Sequence, residues 1–238
     1  MKSHWIERDV TGSTMPLYVS EPDGAPAAGV IVIEEIFGVN ATIRSLADLV
    51  ASLGYLAVAP NFFHRTDPQF EAGYNPEGIA KGVAAASAVK FPEIVADLTS
   101  AGAYLRERLG AYAKIGTWGF CFGGSVAFLS ATLPFVSCAV SFYGGQIARS
   151  PIPERPPMID AAAQVRAPIF FAFGANDEHI TPDDHAKIRK ALDARGKSYA
   201  FHVARSEGHG FFRFGPDANP GAREVWPLVR EFLAKHLA

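Results

Sequence analysis

At 238 residues, 49% of them hydrophobic, the chain has the size and apolar content of one large α/β domain, which excludes a disordered segment. A net charge of −2 argues against nucleic acid or an anionic membrane surface as a partner, and two cysteines do not make a disulfide framework. Residues 1–9 carry charge where a signal peptide needs an apolar core, so a reducing, cytoplasmic setting is expected. Residues 28–33, rich in β-branched side chains, predict a buried strand. Residues 42–53 place Ile43, Leu46, Leu49, Val50 and Leu53 on one side of a helix that Gly54 ends. A strand is expected at 55–60. Residues 61–75 are polar, aromatic and irregular, and read as a surface loop. Its Phe62, Phe63, Phe70 and Tyr74 either line a pocket or seal the loop to the core. Helices are expected at 76–89 and 91–109, then a strand at 115–118, a helix at 125–129 and a strand at 136–143. Residues 148–157 hold four prolines and read as loop. A strand at 169–174, a helix at 182–194 capped by Thr181, a strand at 198–204 and a helix at 222–237 complete the chain. Strands alternating with helices predict a mostly parallel central sheet with helices on both faces. No repeat or linker divides the chain, so a single domain over 1–238 is expected. Residues 115–148 carry no charge and are long enough to cross a bilayer. Glycines, Pro134 and several Ser and Thr break this stretch into strand, helix and strand, as in the buried centre of a parallel sheet.

Between that strand and helix lies Gly119-Phe120-Cys121-Phe122-Gly123-Gly124. The pattern Gly-x-Cys-x-Gly suits a sharp strand-to-helix turn, where small neighbours avoid clashes around an exposed nucleophile. Such a turn puts the Cys121 sulfur at a helix N-terminus, which favours the thiolate, the attacking form of the group. An isolated cysteine is more often packed away as a small apolar side chain, and Cys138 reads that way. In doubly wound sheets ligands sit beyond the carboxyl ends of strands, so polar residues following each strand are candidates. Asp177 follows the strand at 169–174 and His209 the strand at 198–204. Cys121, Asp177 and His209 therefore run in the order nucleophile, acid, histidine, the order of α/β-hydrolases. His209 would handle the proton and Asp177 would hold its tautomer. Glu34 and Glu35 end the strand at 28–33. Either they point to solvent or they are buried with a partner. The following loop would supply the Ile36 amide, which with that of Phe122 would make an oxyanion hole.

These residues closely resemble the dienelactone hydrolase family of the α/β-hydrolase superfamily, which includes carboxymethylenebutenolidase. The likeness rests on Glu34-Glu35-Ile36-Phe37-Gly38-Val39-Asn40, segment 54–60, the elbow at 119–124, Tyr143-Gly144, the turn at 174–177 and Gly208-His209-Gly210-Phe211. The resemblance implies a catalytic triad of Cys121, Asp177 and His209, with Glu35 contacting the resting thiol and helping to generate the thiolate. It also implies lactone or ester substrates with a carboxylate beside the scissile bond, and Arg213 as the residue that binds this carboxylate. A surface salt bridge is the alternative for Arg213. The family's second substrate arginine has no clear counterpart in residues 61–90, where Arg65, Lys81 and Lys90 are the cations. Lysine, a point charge, does not replace a bidentate arginine.

The expected activity is hydrolysis of carboxylic esters or enol-lactones through a cysteine nucleophile, by a monomer or small homo-oligomer. No metal is expected, since no His-Glu-x-x-His or ligand-spaced cysteine pair occurs, and no cofactor, since no Gly-x-Gly-x-x-Gly follows a strand. The rival readings are a general carboxylesterase or thioesterase with an unrelated substrate, and a non-catalytic small-molecule binder.

Overall fold

The computed structural model describes residues 1–150 and 156–238, so the middle of the loop expected at 148–157 lies outside the described residues. The described residues form an α/β protein with eight strands, mostly parallel, and pack into two compact units, Met1–Ile115 and Gly116–Ala238.

The first unit opens with a hairpin that the sequence reading did not foresee. β1 (Lys2–Val10) and β2 (Ser13–Glu21) pair antiparallel around Thr11-Gly12, whose φ angles of 53° and 80° are both positive, as a type I′ turn requires. β1 alternates exposed and half-buried side chains. It therefore carries no apolar run to mark it. β2 pairs antiparallel with β4 (Leu56–Pro60), and β4 pairs parallel with β3 (Gly29–Ile33). Every residue of β3 and β4 is buried, so both faces of these strands are covered. α1 (Ala41–Ser52), α2 (Pro76–Ala88) and α3 (Phe91–Leu109) complete the unit. The Asn40 side chain caps α1 by accepting from the Thr42 and Ile43 amides, and Asn75 caps α2 ahead of Pro76.

A polar cluster sits inside this unit. His64 bonds Ser13 Oγ through Nδ1 at 2.9 Å and Asp97 through Nε2 at 3.2 Å. Arg65 donates to both Asp97 oxygens at 2.9 Å. The His64 and Asp97 side chains are fully buried, so this bidentate pair neutralises a charge that would otherwise be costly. Glu34 is also fully buried. Its Oε1 accepts from the Phe62 amide at 2.7 Å, while Oε2 has no hydrogen-bond partner among the described residues. Glu35 is 1% exposed. The solvent-facing alternative for the two glutamates is thereby overturned. Phe62 and Phe63 are core residues that seal the 61–75 loop, and Phe70 packs edge-on against Phe63.

In the second unit β5 (Ile115–Phe120), β6 (Cys138–Phe142), β7 (Ile169–Gly174) and β8 (Tyr199–Ala204) run parallel in that order. α4 (Phe122–Ser130), α5 (Pro182–Asp193) and α6 (Pro220–Leu237) pack on them, with a short 3₁₀ stretch at Met158–Gln164. Thr181 and Asp184 form a capping box on α5, and Asn219 caps α6 ahead of Pro220. Among the described residues no side chain caps α4. Trp118 anchors the core among Phe120, Phe142, Phe212 and Trp226. The uncharged stretch is thus strand, helix and strand, and among the described residues no helix is long and apolar enough to cross a membrane.

The turn from β5 into α4 leaves no room for side chains. A Cβ at Gly119 would strike the Gly123 carbonyl, and one at Gly124 would strike the Phe142 carbonyl and the Gly144 backbone. Gly124→Ala is therefore expected to lower unfolding stability by about 3 kcal/mol or more, because the obstacle is backbone and cannot rotate away. Chemical denaturation checks this. Glu34 supplies a second expectation. Burial holds its carboxyl well above the ordinary 4.5, against the pull of the Phe62 hydrogen bond and with help from the Asp97 charge. The folded chain then binds more protons here than the unfolded chain once pH exceeds 4.5, and stability declines as pH rises. Glu34→Gln, an isostere of the protonated acid, should match the wild type near pH 4 and exceed it by about 1–3 kcal/mol near pH 8. Melting curves across that range test the sign.

Candidate active site

The Cys121 backbone sits at φ 54°, ψ −113°, a region that L-residues rarely occupy. The strain is held by the surrounding ladder. The Cys121 amide donates to the Phe142 carbonyl at 3.0 Å, and its carbonyl accepts from Ser125 at 3.2 Å. Gly119, Gly124 and Gly144 let β5, α4 and the end of β6 close around it. The outcome is a partly exposed sulfur at the start of α4, with Phe122 as the first helical residue. A helix N-terminus without a capping side chain presents amides to whatever anion stands there.

Asp177 lies in the turn that follows β7, and its side chain is fully buried. Oδ1 accepts from the His179 amide at 2.8 Å and the Ile180 amide at 3.2 Å, and Oδ2 pairs with His209 Nδ1 at 2.8 Å. The carboxylate is therefore oriented by its own turn and has one oxygen left for His209. Burial pushes its pKa up, but the bond and charge of His209 and the His179 amide and ring outweigh burial and hold it below the ordinary value of 3.8.

His209 lies in the loop after β8. Gly174 allows this loop to approach, since a Cβ there would meet the Glu207 carbonyl, and the Asn176 amide bonds that same carbonyl at 2.8 Å. Glu207 also accepts from the Gly221 amide at 3.0 Å, which ties the loop to the start of α6. Beyond His209, Phe211 and Phe212 sink into the aromatic core, and Tyr143 packs edge-on to the His209 ring at 5.1 Å. With Nδ1 taken by Asp177, Nε2 is left for the sulfur of Cys121, to which His209 is also hydrogen-bonded. Burial alone would depress the His209 pKa. The charge Cys121 would carry as a thiolate, together with the hydrogen bonds to Asp177 and Cys121, reverses this and raises it to about 10.

The structure thus brings Cys121, His209 and Asp177 together within one unit, each at the carboxyl end of a different strand. Arg213 follows on the same loop, and its guanidinium lies against Gly210. Glu35 and Ile36 stand directly after β3 in the first unit, Glu35 buried and Ile36 half-buried. Among the three cations of 61–90, Arg65 is engaged by Asp97, Lys81 pairs with Glu77 at 2.7 Å and Lys90 lies 3.8 Å from Glu93. One residue beside the cluster was not singled out from sequence. His179 stands with its ring 5.3 Å from that of His209. Its signal was a histidine two residues past an acid in a post-strand loop. Among the described residues no three His, Cys, Asp or Glu converge as a metal site.

Residues 15–237 match the model of the dienelactone hydrolase family. A protein of Synechocystis sp. named "Putative carboxymethylenebutenolidase" is 34% identical over 212 residues, covering 87% of this chain and 86% of that one. A Bradyrhizobium sp. protein named "Probable 2-oxo-3-(5-oxofuran-2-ylidene)propanoate lactonase" is 30% identical over 240 residues, covering 98% of this chain and 94% of its own. Among solved structures, one titled as a putative dienelactone hydrolase from Klebsiella pneumoniae superposes with a TM-score of 0.85 at 28% identity, covering 98% of both chains. With a family match over nearly its whole length, relatives of similar extent and a shared α/β-hydrolase fold, the chain is a hydrolase that belongs to the dienelactone hydrolase family.

Proposed function

We propose that the chain hydrolyses carboxylic esters, and enol-lactones in particular, through Cys121 as nucleophile. The observation that carries this reading is the line from Asp177 through His209 to Cys121, with His209 held at both ends. The Cys121 thiolate attacks the acyl carbon and forms a C–S bond. The developing oxyanion is assigned to the Phe122 amide at the start of α4. Collapse breaks the acyl C–O bond, and the His209 imidazolium gives its proton to the leaving oxygen.

The charge balance explains the second half of the cycle. Acylation turns the thiolate into a neutral thioester and removes the largest of the influences that raise the His209 pKa. The imidazole left behind is then a competent base. It takes a proton from water, the hydroxide attacks the thioester, and the thiolate departs to restore the starting pair.

The leaving group sets the substrate class. A thiolate leaves more readily than an alkoxide, so an intermediate with a poor leaving group reverts to starting material. An enolate leaves readily, and opening an enol-lactone releases one. The names of two relatives point the same way, one a butenolidase and the other a lactonase whose substrate name carries a propanoate. Arg213, on the His209 loop, is assigned to that carboxylate, which its planar fork suits. A cysteine that must stay reduced fits a reducing compartment such as the cytoplasm.

Cys121→Ala should abolish turnover of a carboxylate-bearing enol-lactone and of p-nitrophenyl acetate while the melting temperature is kept. Near wild-type activity on either substrate would reject the nucleophile. The raised His209 pKa yields a pH expectation. The folded chain favours the imidazolium, so the stability it contributes is complete below about 6.5 and is lost as pH rises through about 10. The His209 ring should accordingly titrate near 10 by NMR, and alkylating Cys121 with iodoacetamide should return the midpoint toward the ordinary histidine range. An unmoved midpoint after alkylation would show that the sulfur's charge is not what holds the proton.

A further inference from the structure

We propose that His179 is a specificity-determining residue, whose exposed imidazole beside His209 receives the carboxylate of an anionic ester or lactone. The inference rests on the hydrolytic reading above and adds a recognition contact that the triad does not include.

The argument starts from the turn at 177–180. Asp177 uses one oxygen to hold His209 and the other to accept the His179 and Ile180 amides, so a single carboxylate sets the position of both histidines. The His179 carbonyl accepts from the Arg149 guanidinium at 2.8 Å, and Arg149 also bonds Asp184 at 2.9 Å. Asp184 belongs to the capping box of α5. The residue is thus pinned through both its amide and its carbonyl, and its side chain is delivered to one place. That place is against the reacting histidine, with ring centroids 5.3 Å apart and planes at 84°.

The surroundings leave this ring without a structural task. His179 is exposed, and among the described residues its ring nitrogens carry no hydrogen bond. The nearby acids are otherwise engaged, Asp177 by His209 and two amides, Asp184 by Thr181 and Arg149. Glu178 is exposed to solvent. Arg213, four residues after His209 on the same loop, has its guanidinium against Gly210. Basic side chains from two loops therefore stand near the histidine that meets the scissile bond. An imidazole presents an N–H donor in either protonation state, so it can bond a carboxylate as a neutral ring and more strongly as a cation. Two separate donors would fix the direction of the acid and hence which bond faces Cys121.

The test compares a carboxylate-bearing enol-lactone with its neutral methyl ester on the full chain. His179→Ala should raise KM for the acid about tenfold, leave its kcat nearly unchanged and leave kcat/KM for the methyl ester unaltered. His179→Lys, which restores a donor, should recover most of the preference for the acid. Equal losses on both substrates, or no loss on either, would overturn the proposal. Binding separates it from the catalytic reading. In the Cys121→Ala background the intact lactone acid should bind about tenfold more weakly once His179→Ala is added. That result supports the recognition contact even if Cys121 proves not to be the nucleophile, and unchanged binding refutes it even if Cys121 is.

Discussion

The site depends on a backbone contortion at one residue. Cys121 is forced into a conformation that side chains avoid, and the fold sustains it because β5 and the start of α4 meet without a side chain between them. The strain has a use. It lifts the sulfur out of the strand and sets it at the start of α4, near a histidine delivered from three strands away. A relaxed cysteine at the same point in the sequence would continue the strand into the core, as Cys138 does.

The acid and the histidine are set by a different device. Neither is held by a helix or strand of its own. The turn at 177–180 satisfies Asp177 with its own amides, and the loop after β8 is tied to β7, to α6 and to the aromatic core. Loops of this kind are rigid because their polar groups are used up internally, which allows reactive groups to sit on loops without wandering. The electrostatics follow from that rigidity. The Asp177 carboxylate and the Cys121 sulfur both act on one imidazole and strengthen its hold on a proton.

The first unit handles buried charge in two contrasting ways. Asp97 is paired with a bidentate arginine and bonded to a histidine, whereas Glu34 accepts from the Phe62 amide and burial raises its pKa. The contrast accounts for Arg65. From sequence it was a possible substrate ligand, but a buried aspartate on α3 has claimed its guanidinium.

Much of this was legible in the chain itself. Local patterns reveal the elements whose cause is local. Phe91–Leu109, by its amphipathic pattern, and Ile169–Gly174, by its apolar run, were marked to the residue, and the elbow announced itself through its glycines. The hairpin of β1 and β2 was invisible because an edge strand with a wet face has no apolar run, and its register comes from partners rather than from propensity. Residue order and type were enough to nominate Cys121, Asp177 and His209, since a nucleophile, an acid and a histidine after successive strands leave a linear trace. What only the tertiary structure decided was the fate of individual side chains: that Glu34 is buried, that Arg65 is spent on Asp97, and that His179 stands against His209. The reason is physical. Burial and pairing depend on which distant segment arrives alongside, and nothing within a few residues of a glutamate or an arginine records that.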